Sequence, residues 1–208
     1  VRFRLETPVA TAGARPAAAV SEAPSLVVPP WTPAGWSNIP ARPIHAGTGE
    51  VAAVRLAWDR TNLWLRCDVR DASPLRNKGQ EPKAHFKEGD AIDLRLGPAE
   101  PSRKEPGPGD LRLLLVPAEG GPRAVLYRAL APGTPPAARV AFPSPIGTNY
   151  FDAVSTVAAV SAAFRSAPAG YVCDAAIPWS LLGLTPASGL TLRGDVGVLF
   201  SDAGGQTT

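Results

Sequence analysis

The sequence predicts an all-β protein made of two packed antiparallel sheets, and three observations favour that fold. Segments in which apolar and polar residues alternate recur about eight times, which is the pattern of strands with one buried face. The 208 residues include 24 Pro and 20 Gly, which disfavour helices and favour turns. The sequence has neither a long amphipathic helical pattern nor an internal repeat. We therefore expect a two-sheet antiparallel β-sandwich, jelly-roll or immunoglobulin-like, with long Pro-rich loops.

The most regular segment is residues 170–184, which reads GYVCDAAIPWSLLGL. Its first half alternates strictly and predicts a strand with one buried face. Pro178 cannot donate a hydrogen bond to a neighbouring strand, so the strand ends there. One helical turn follows, with Gly183 at its end. We expect Trp179 in that turn to close the end of the sheet.

The remaining strands are predicted from the same alternation and from the turn residues between them. In chain order they are residues 1–6 as an edge strand, the hairpin 51–59 and 62–71, 89–97, the hairpin 111–117 and 124–129, 155–165, and 195–202. The long irregular loops are predicted at residues 72–87, 98–109 and 130–149.

The domain organisation is predicted as an arm followed by a sandwich. Residues 1–43 are rich in Ala and Pro and are expected to form an extended N-terminal arm, and residues 44–208 form the sandwich. We expect Trp31 and Trp36 to anchor the arm on the protein's own core. Trp64 points outward among charged residues, so either another segment covers it or it forms a contact surface.

Composition argues against several classes of function. The formal net charge is only +3 and the basic residues are scattered, which disfavours nucleic-acid binding. No apolar run approaches the roughly 20 residues that a membrane helix needs. No pair of carboxylates, phosphate-binding loop or nucleophile motif stands out, so we expect no enzyme. Methionine is absent, so we expect a chain that starts after processing or belongs to a longer product.

Both cysteines, Cys67 and Cys173, lie on the apolar face of predicted strands. We favour free core thiols. A disulfide remains open if their Cβ atoms lie about 3.5–4.5 Å apart. The two Cys and two His residues are far apart in sequence and match no metal-ligand spacing.

The order of the motifs resembles carbohydrate-binding module family 9 and the related DOMON-type β-sandwich domains. These motifs are WD and NLWL at residues 58–65, GDAIDLRLG at 89–97, GY followed by IPWSLLGL at 170–184, and DVGVLFSD at 195–202. The resemblance spans about residues 51–202 and is more specific for fold than for ligand. It implies a non-catalytic domain that is extracytoplasmic, either periplasmic or secreted.

The resemblance also implies a sugar site made of aromatic rings, a carboxylate and an Arg. Phe86 lies one position from the family's clamp aromatic, Asp93 matches the family's glutamate, and Arg112 matches the Arg of the following strand. By the alternation, Asp93 and Arg112 share an outer face. The alternative for this pair is a cross-strand ion pair on a solvated face, and for Phe86 it is a place in the core. His85 either bonds a ligand or is a solvated loop residue.

Other features of the family fit this sequence less well. The family's second clamp Trp lies beyond the last strand, and the position of its Arg after the last strand falls near Thr207. No cofactor is expected, although Asp71, Asp90 and Asp202 lie near loops and offer oxygen atoms for structural calcium. Haem held by His45 or His85 is a minor alternative.

Two functions are therefore expected. The first is a carbohydrate-binding module. The second is a structural or accessory subunit that docks, through its arm and sandwich, onto a larger membrane-associated or secreted protein assembly. The family resemblance favours the first, and the incomplete sugar site favours the second.

Overall fold

The computed structural model of the chain describes residues 2–5, 25–99, 106–145, 147–202 and 204–207. The strands of these residues are β1 (Arg2–Leu5), β2 (Ser25–Val28), β3 (Arg42–Ala46), β4 (Gly49–Trp58), β5 (Asn62–Arg70), β6 (Ala91–Pro98), β7 (Leu111–Val116), β8 (Arg123–Arg128), β9 (Val140–Ser144), β10 (Gly147–Phe151), β11 (Ala153–Thr156), β12 (Ser161–Ala167), β13 (Gly170–Pro178) and β14 (Thr191–Leu199). The helix α1 is Trp179–Leu182, and short 3-10 helices lie at Gly35–Asn38 and Pro136–Ala138. The prediction of an all-β protein is confirmed.

Two large sheets contain most of these strands. The first has seven strands in the order β11-β8-β7-β6-β14-β1-β2, and the second has five in the order β12-β13-β5-β4-β3. Neighbours are antiparallel except β1 and β2, which are parallel. Strands β9 and β10 form a separate antiparallel hairpin. No helix within the described ranges is both long and apolar enough to span a membrane.

One apolar core lies between the two sheets. Leu94 and Leu113 of the seven-stranded sheet and Leu65 and Ile177 of the five-stranded sheet are all completely buried in it. These residues occupy alternate positions of their strands, which is why the period of two identified them. Burial of a side chain of this size contributes about 1.5–3 kcal/mol.

The segment at residues 170–184 has the predicted structure. Strand β13 ends at Pro178, and Gly183 ends α1 with a left-handed φ of 69°. Trp179 is 2% exposed, and its Nε1 donates to the carbonyl of Asp59 at 2.9 Å. This tryptophan fixes α1 to the turn between β4 and β5 at the end of the five-stranded sheet.

Several predicted segments differ from the structure. The last strand, expected at residues 195–202, is β14 at Thr191–Leu199, and β2 and β3 form where no strand was expected. Residues 155–165 were expected as one strand, but β11 pairs with β8 in one sheet and β12 pairs with β13 in the other. The chain crosses between the sheets at residues 157–160, where a turn interrupts the alternation. Residues 130–149 were expected to be irregular, but residues 140–151 form the β9–β10 hairpin.

The N-terminal segment contributes to the sheets where it is described. Residues 2–5 and 25–28 are strands of the seven-stranded sheet, and residues 6–24 lie outside the described residues. Trp31 stacks on Trp64, with ring centroids 4.7 Å apart and 15° between the planes. Trp36 packs edge-on against Trp31 at 4.8 Å. Trp64 is thus covered by another segment, and Trp31 attaches that segment to an outer sheet face instead of to the core.

The two cysteines are free and face each other across β13 and β5. Both are completely buried, and burial raises the pKa of the Cys67 thiol to about 12 and that of Cys173 well above its ordinary value. Thiolates are the reactive species, so both side chains are chemically protected in the folded state.

We expect neither cysteine to react with a thiol reagent in the native protein at pH 8, and both to react once the protein is unfolded. The reaction is followed by absorbance with Ellman's reagent, with and without guanidinium chloride. Rapid native labelling would contradict the burial, and failure to label in denaturant would reveal a disulfide. Cys67→Ala provides the reference for a single remaining thiol.

Candidate functional site

The seven-stranded sheet carries a second, smaller apolar cluster on its outer face. Its residues Leu114, Val125 and Tyr127 are completely buried, and Phe142 and Phe151 of the β9–β10 hairpin cover them. The run LRLLLV of β7 explains this arrangement, because it places leucines on both faces of one strand. Here the sheet is therefore covered on both sides.

A groove lies beside this cluster. Its volume is about 730 Å³, which lies within the range of small-molecule sites. It is bordered by the aromatic side chains Phe86, Phe142 and Phe151, by the charged side chains Arg95, Asp110, Arg112, Arg193 and Asp195, and by Asn149, with smaller contributions from Leu96, Pro106, Leu111, Ala129 and Gly194. We call the three phenylalanines the aromatic wall of the groove, and its charged and amide side chains the polar floor.

Arg112, which lines the groove, forms an ion pair with Asp93. Arg112 donates from Nε to Oδ1 of Asp93 at 2.9 Å, and the Asp93 side chain is only 7% exposed. The two residues lie on adjacent strands and face the same side, as the alternation predicted. The expected cross-strand ion pair is therefore present, but its carboxylate is buried and not solvated.

The guanidinium of Arg112 lies over two aromatic rings. The guanidinium carbon lies 5.6 Å from the ring centroid of Phe86 and 5.2 Å from that of Tyr127. Tyr127 is fixed in turn by a hydrogen bond from its hydroxyl to the carbonyl of Pro82 at 3.1 Å, and burial raises the pKa of Tyr127 to about 12. Within the described residues the two Nη groups of Arg112 make no hydrogen bond, and this side chain lines the groove.

The other end of the groove carries a second charged pair. Arg193 on β14 donates from Nη2 to both carboxylate oxygens of Asp110, at 2.9 and 3.0 Å. Asp195 is exposed beside it and lies opposite Arg95 in the strand register. This end offers carboxylate acceptors, and Asn149 adds an amide.

Phe86 is half-buried and belongs to the loop between β5 and β6. It packs edge-on against Phe142, with ring centroids 5.4 Å apart. It lines the groove and also packs against the outer apolar cluster, so it is not part of the main core between the sheets.

His85 is completely buried, which corrects the expectation of a solvated loop residue. Nδ2 of Asn77 donates to the carbonyls of His85 and Asp90, so Oδ1 of Asn77 is an acceptor. Nδ1 of His85 donates to that oxygen at 2.8 Å, and Nε2 has no hydrogen-bond partner in the described structure. The structure therefore assigns His85 to the support of the loop that carries Phe86, and not to the groove wall.

We expect the free energy of unfolding to fall as the pH is lowered from 7 to 5. Burial, with a contribution from Arg123, lowers the pKa of His85 below its ordinary value of 6.5. On lowering the pH, the unfolded chain binds a proton at this imidazole before the folded chain does. The contribution of His85 to stability is therefore fully present above about pH 6.5 and decreases as the pH falls below it. Urea unfolding at each pH measures the slope.

The matched variants use the only two histidines of the chain. His85→Gln is expected to flatten this pH dependence. His45→Gln changes an exposed residue of β3 and should retain it. If the two variants have the same slope as the wild type, the pH dependence does not come from His85.

The three aspartates named for calcium have separate partners. Asp90 is buried and accepts from the amides of Arg76 and Ser201, and burial raises its pKa despite these bonds. Asp71 binds Ser73, and Asp202 accepts from the amide of Gln206. Nowhere in the described ranges do three or more His, Cys, Asp or Glu side chains form a group that could hold a metal ion.

Sequence reasoning missed much of the groove. It named Phe86, Asp93 and Arg112, which the structure brings together. It did not single out Arg95, although the alternation of β6 places Arg95 on the same face as Asp93. Phe142 and Phe151 carried no signal, because they lie in a segment that prolines mark as irregular.

Comparison with known proteins finds no matching family model and no matching curated protein.

Proposed function

We propose that this chain is a non-catalytic, extracytoplasmic binding module whose groove holds a carbohydrate. The observation that carries the proposal is the combination of an aromatic wall with a polar floor in one groove. Sugars present apolar C–H patches and hydroxyl groups on the same small ring. Aromatic rings bind the former, and carboxylate, guanidinium and amide groups bind the latter.

Rigidity of the floor supports the same proposal. Asp93 and Arg112 lie within paired strands, and Arg112 is restrained by the Asp93 carboxylate and by two aromatic rings. Binding groups on strands hold their geometry better than groups on loops, so they lose less entropy when a ligand binds.

The test is calorimetric titration of the folded protein with mono- and oligosaccharides, after a glycan array has selected them. We expect binding that Phe86→Ala weakens by about tenfold, since a stacked ring contributes about 1–1.5 kcal/mol. Arg165→Ala on the other sheet is the control and should bind as the wild type does. The proposal is overturned if the folded wild type binds no sugar on the array or in the calorimeter.

A second candidate, an accessory subunit in a larger assembly, is favoured by one observation. Strand β12 forms an edge of the five-stranded sheet, and its seven residues, SAAFRSA, contain no proline or lysine. Such an edge accepts a strand from another protein. Ser161→Lys combined with Ala163→Lys should then release a co-purifying partner and leave sugar binding unchanged. Retention of the partner would contradict this second candidate.

A further inference from the structure

We propose that the ligand of the groove carries a carboxylate, as a uronic acid does, and that Arg112 and Arg95 recognise it. This inference rests on the proposed function, because it specifies the class of sugar for the same groove.

Arg95 and Arg112 are directly opposite each other on β6 and β7 and face the same side of the sheet. Like charges in this position repel each other. Asp93 bridges both, with Nη2 of Arg95 at 3.2 Å from one oxygen and Nε of Arg112 at 2.9 Å from the other. Two guanidinium groups thus share one carboxylate, and one positive charge is left over.

Two further carboxylates among the described residues lie near Arg95 and Arg112, those of Asp195 and Asp110. Asp195 lies opposite Arg95 on β14, yet it is exposed and makes no ion pair with Arg95 within the described residues. Asp110 binds Arg193 at the other end of the groove. Among the described residues, no carboxylate other than that of Asp93 forms an ion pair with Arg95 or Arg112, so both guanidinium groups can contact a ligand beside the aromatic wall.

The guanidinium of Arg112 is oriented by its neighbours. Asp93 occupies the Nε side of Arg112, and the Phe86 and Tyr127 rings lie near its guanidinium. The Nη groups remain as a planar pair of donors. Such a fork matches the two oxygens of a carboxylate in a bidentate arrangement, and it needs no reorganisation because the group is already held. The Arg95 side chain is 61% exposed and can contact the same anion.

The rest of the groove suits a sugar ring. Phe86, Phe142 and Phe151 border the groove next to this fork, and Asp195 and Asn149 border it further along. A pyranose ring that contacts the aromatic wall directs its hydroxyls to the acceptors. The carboxylate on its ring then reaches the guanidinium pair. Sulfated or phosphorylated sugars present the same oxygens in a tetrahedral group, so the experiment must separate them from uronates.

The experiment is calorimetric titration at pH 7 with glucose, glucuronate, galactose, galacturonate, glucose 6-sulfate and acetate. We expect a uronate to bind about tenfold or more tightly than the matching neutral sugar, since charge-assisted hydrogen bonds are roughly twice as strong as neutral ones. Added NaCl should weaken uronate binding and leave neutral sugars unaffected. Tighter binding of glucose 6-sulfate than of either uronate would overturn the carboxylate assignment.

Two variants localise the effect. Arg95→Gln removes an exposed charge, and it should weaken glucuronate binding more than glucose binding, so the preference for glucuronate falls. Arg112→Lys keeps the charge but removes the fork, and it should abolish most of the preference. Thermal unfolding verifies that both variants are folded. Equal affinity of glucose and glucuronate for the wild type would overturn this inference and leave the proposed function standing, whereas absence of binding by every sugar overturns both.

Discussion

Replacing Asp93 with Ala is expected to lower the free energy of unfolding by about 3 kcal/mol. The substitution leaves the Arg112 guanidinium without its carboxylate in a site where the arginine side chain is only 15% exposed. Removing one partner of a buried pair is costly because the remaining charge is desolvated and unpaired. Repulsion between Arg112 and Arg95 adds to this loss. Urea unfolding at pH 7, followed by tryptophan fluorescence, measures the change.

Arg95→Ala is the matched control, since Arg95 is the exposed partner of the same carboxylate. We expect a change of about 0–1 kcal/mol, as for other solvent-exposed ion pairs. Equal, small effects of the two substitutions would mean that water reaches the Asp93–Arg112 pair. The groove would then lack the restrained guanidinium that the proposed recognition of a carboxylate requires.

Replacing Gly170 with Ala is expected to cost about 4 kcal/mol. Gly170 begins β13 with a φ of 148°, which L-residues rarely adopt, and this strain costs about 1–3 kcal/mol. A Cβ atom there would lie 2.6 Å from the amide nitrogen of Asp71 and even closer to the carbonyl oxygen of Val69. Relief of this overlap requires β5 and β13 to separate, which adds about 1–3 kcal/mol.

Gly147→Ala separates the two contributions. Gly147 has a nearly identical φ of 145°, but a Cβ atom there would meet nothing within 4 Å. The free energy of unfolding of this control should therefore fall only by the cost of the strained φ, as measured by the same urea unfolding. If both variants lose the same stability, the close approach of the two strands at Gly170 is relieved without cost.

The main core could be predicted from the sequence, and the outer cluster could not. In β5 and β13 every second residue is buried, so the period of two identified Leu65 and Ile177. In β7 consecutive leucines are buried, because the hairpin covers the second face. That cover comes from a segment that Pro143 and Pro145 mark as irregular, and only its long-range packing reveals it.

The floor of the candidate site followed from local alternation, and its walls did not. Asp93 and Arg112 lie on adjacent strands, where the period of two fixes the face. His85 and Phe86 lie on a loop, where no period applies, and the Asn77 side chain decides that His85 points inward. The sequence around these loop residues carries no sign of that hydrogen bond.

The hairpin formed by β9 and β10 determines how far a third layer extends over the seven-stranded sheet. The groove lies at the edge of this layer, between Phe142 and Phe151 of the hairpin and residues of β14. The hairpin is paired only with itself and lies outside both large sheets. Phe142, Asn149 and Phe151 of the hairpin border the groove, so changes in the length of these two strands would alter the size of the groove and leave the strand order of the two large sheets unchanged.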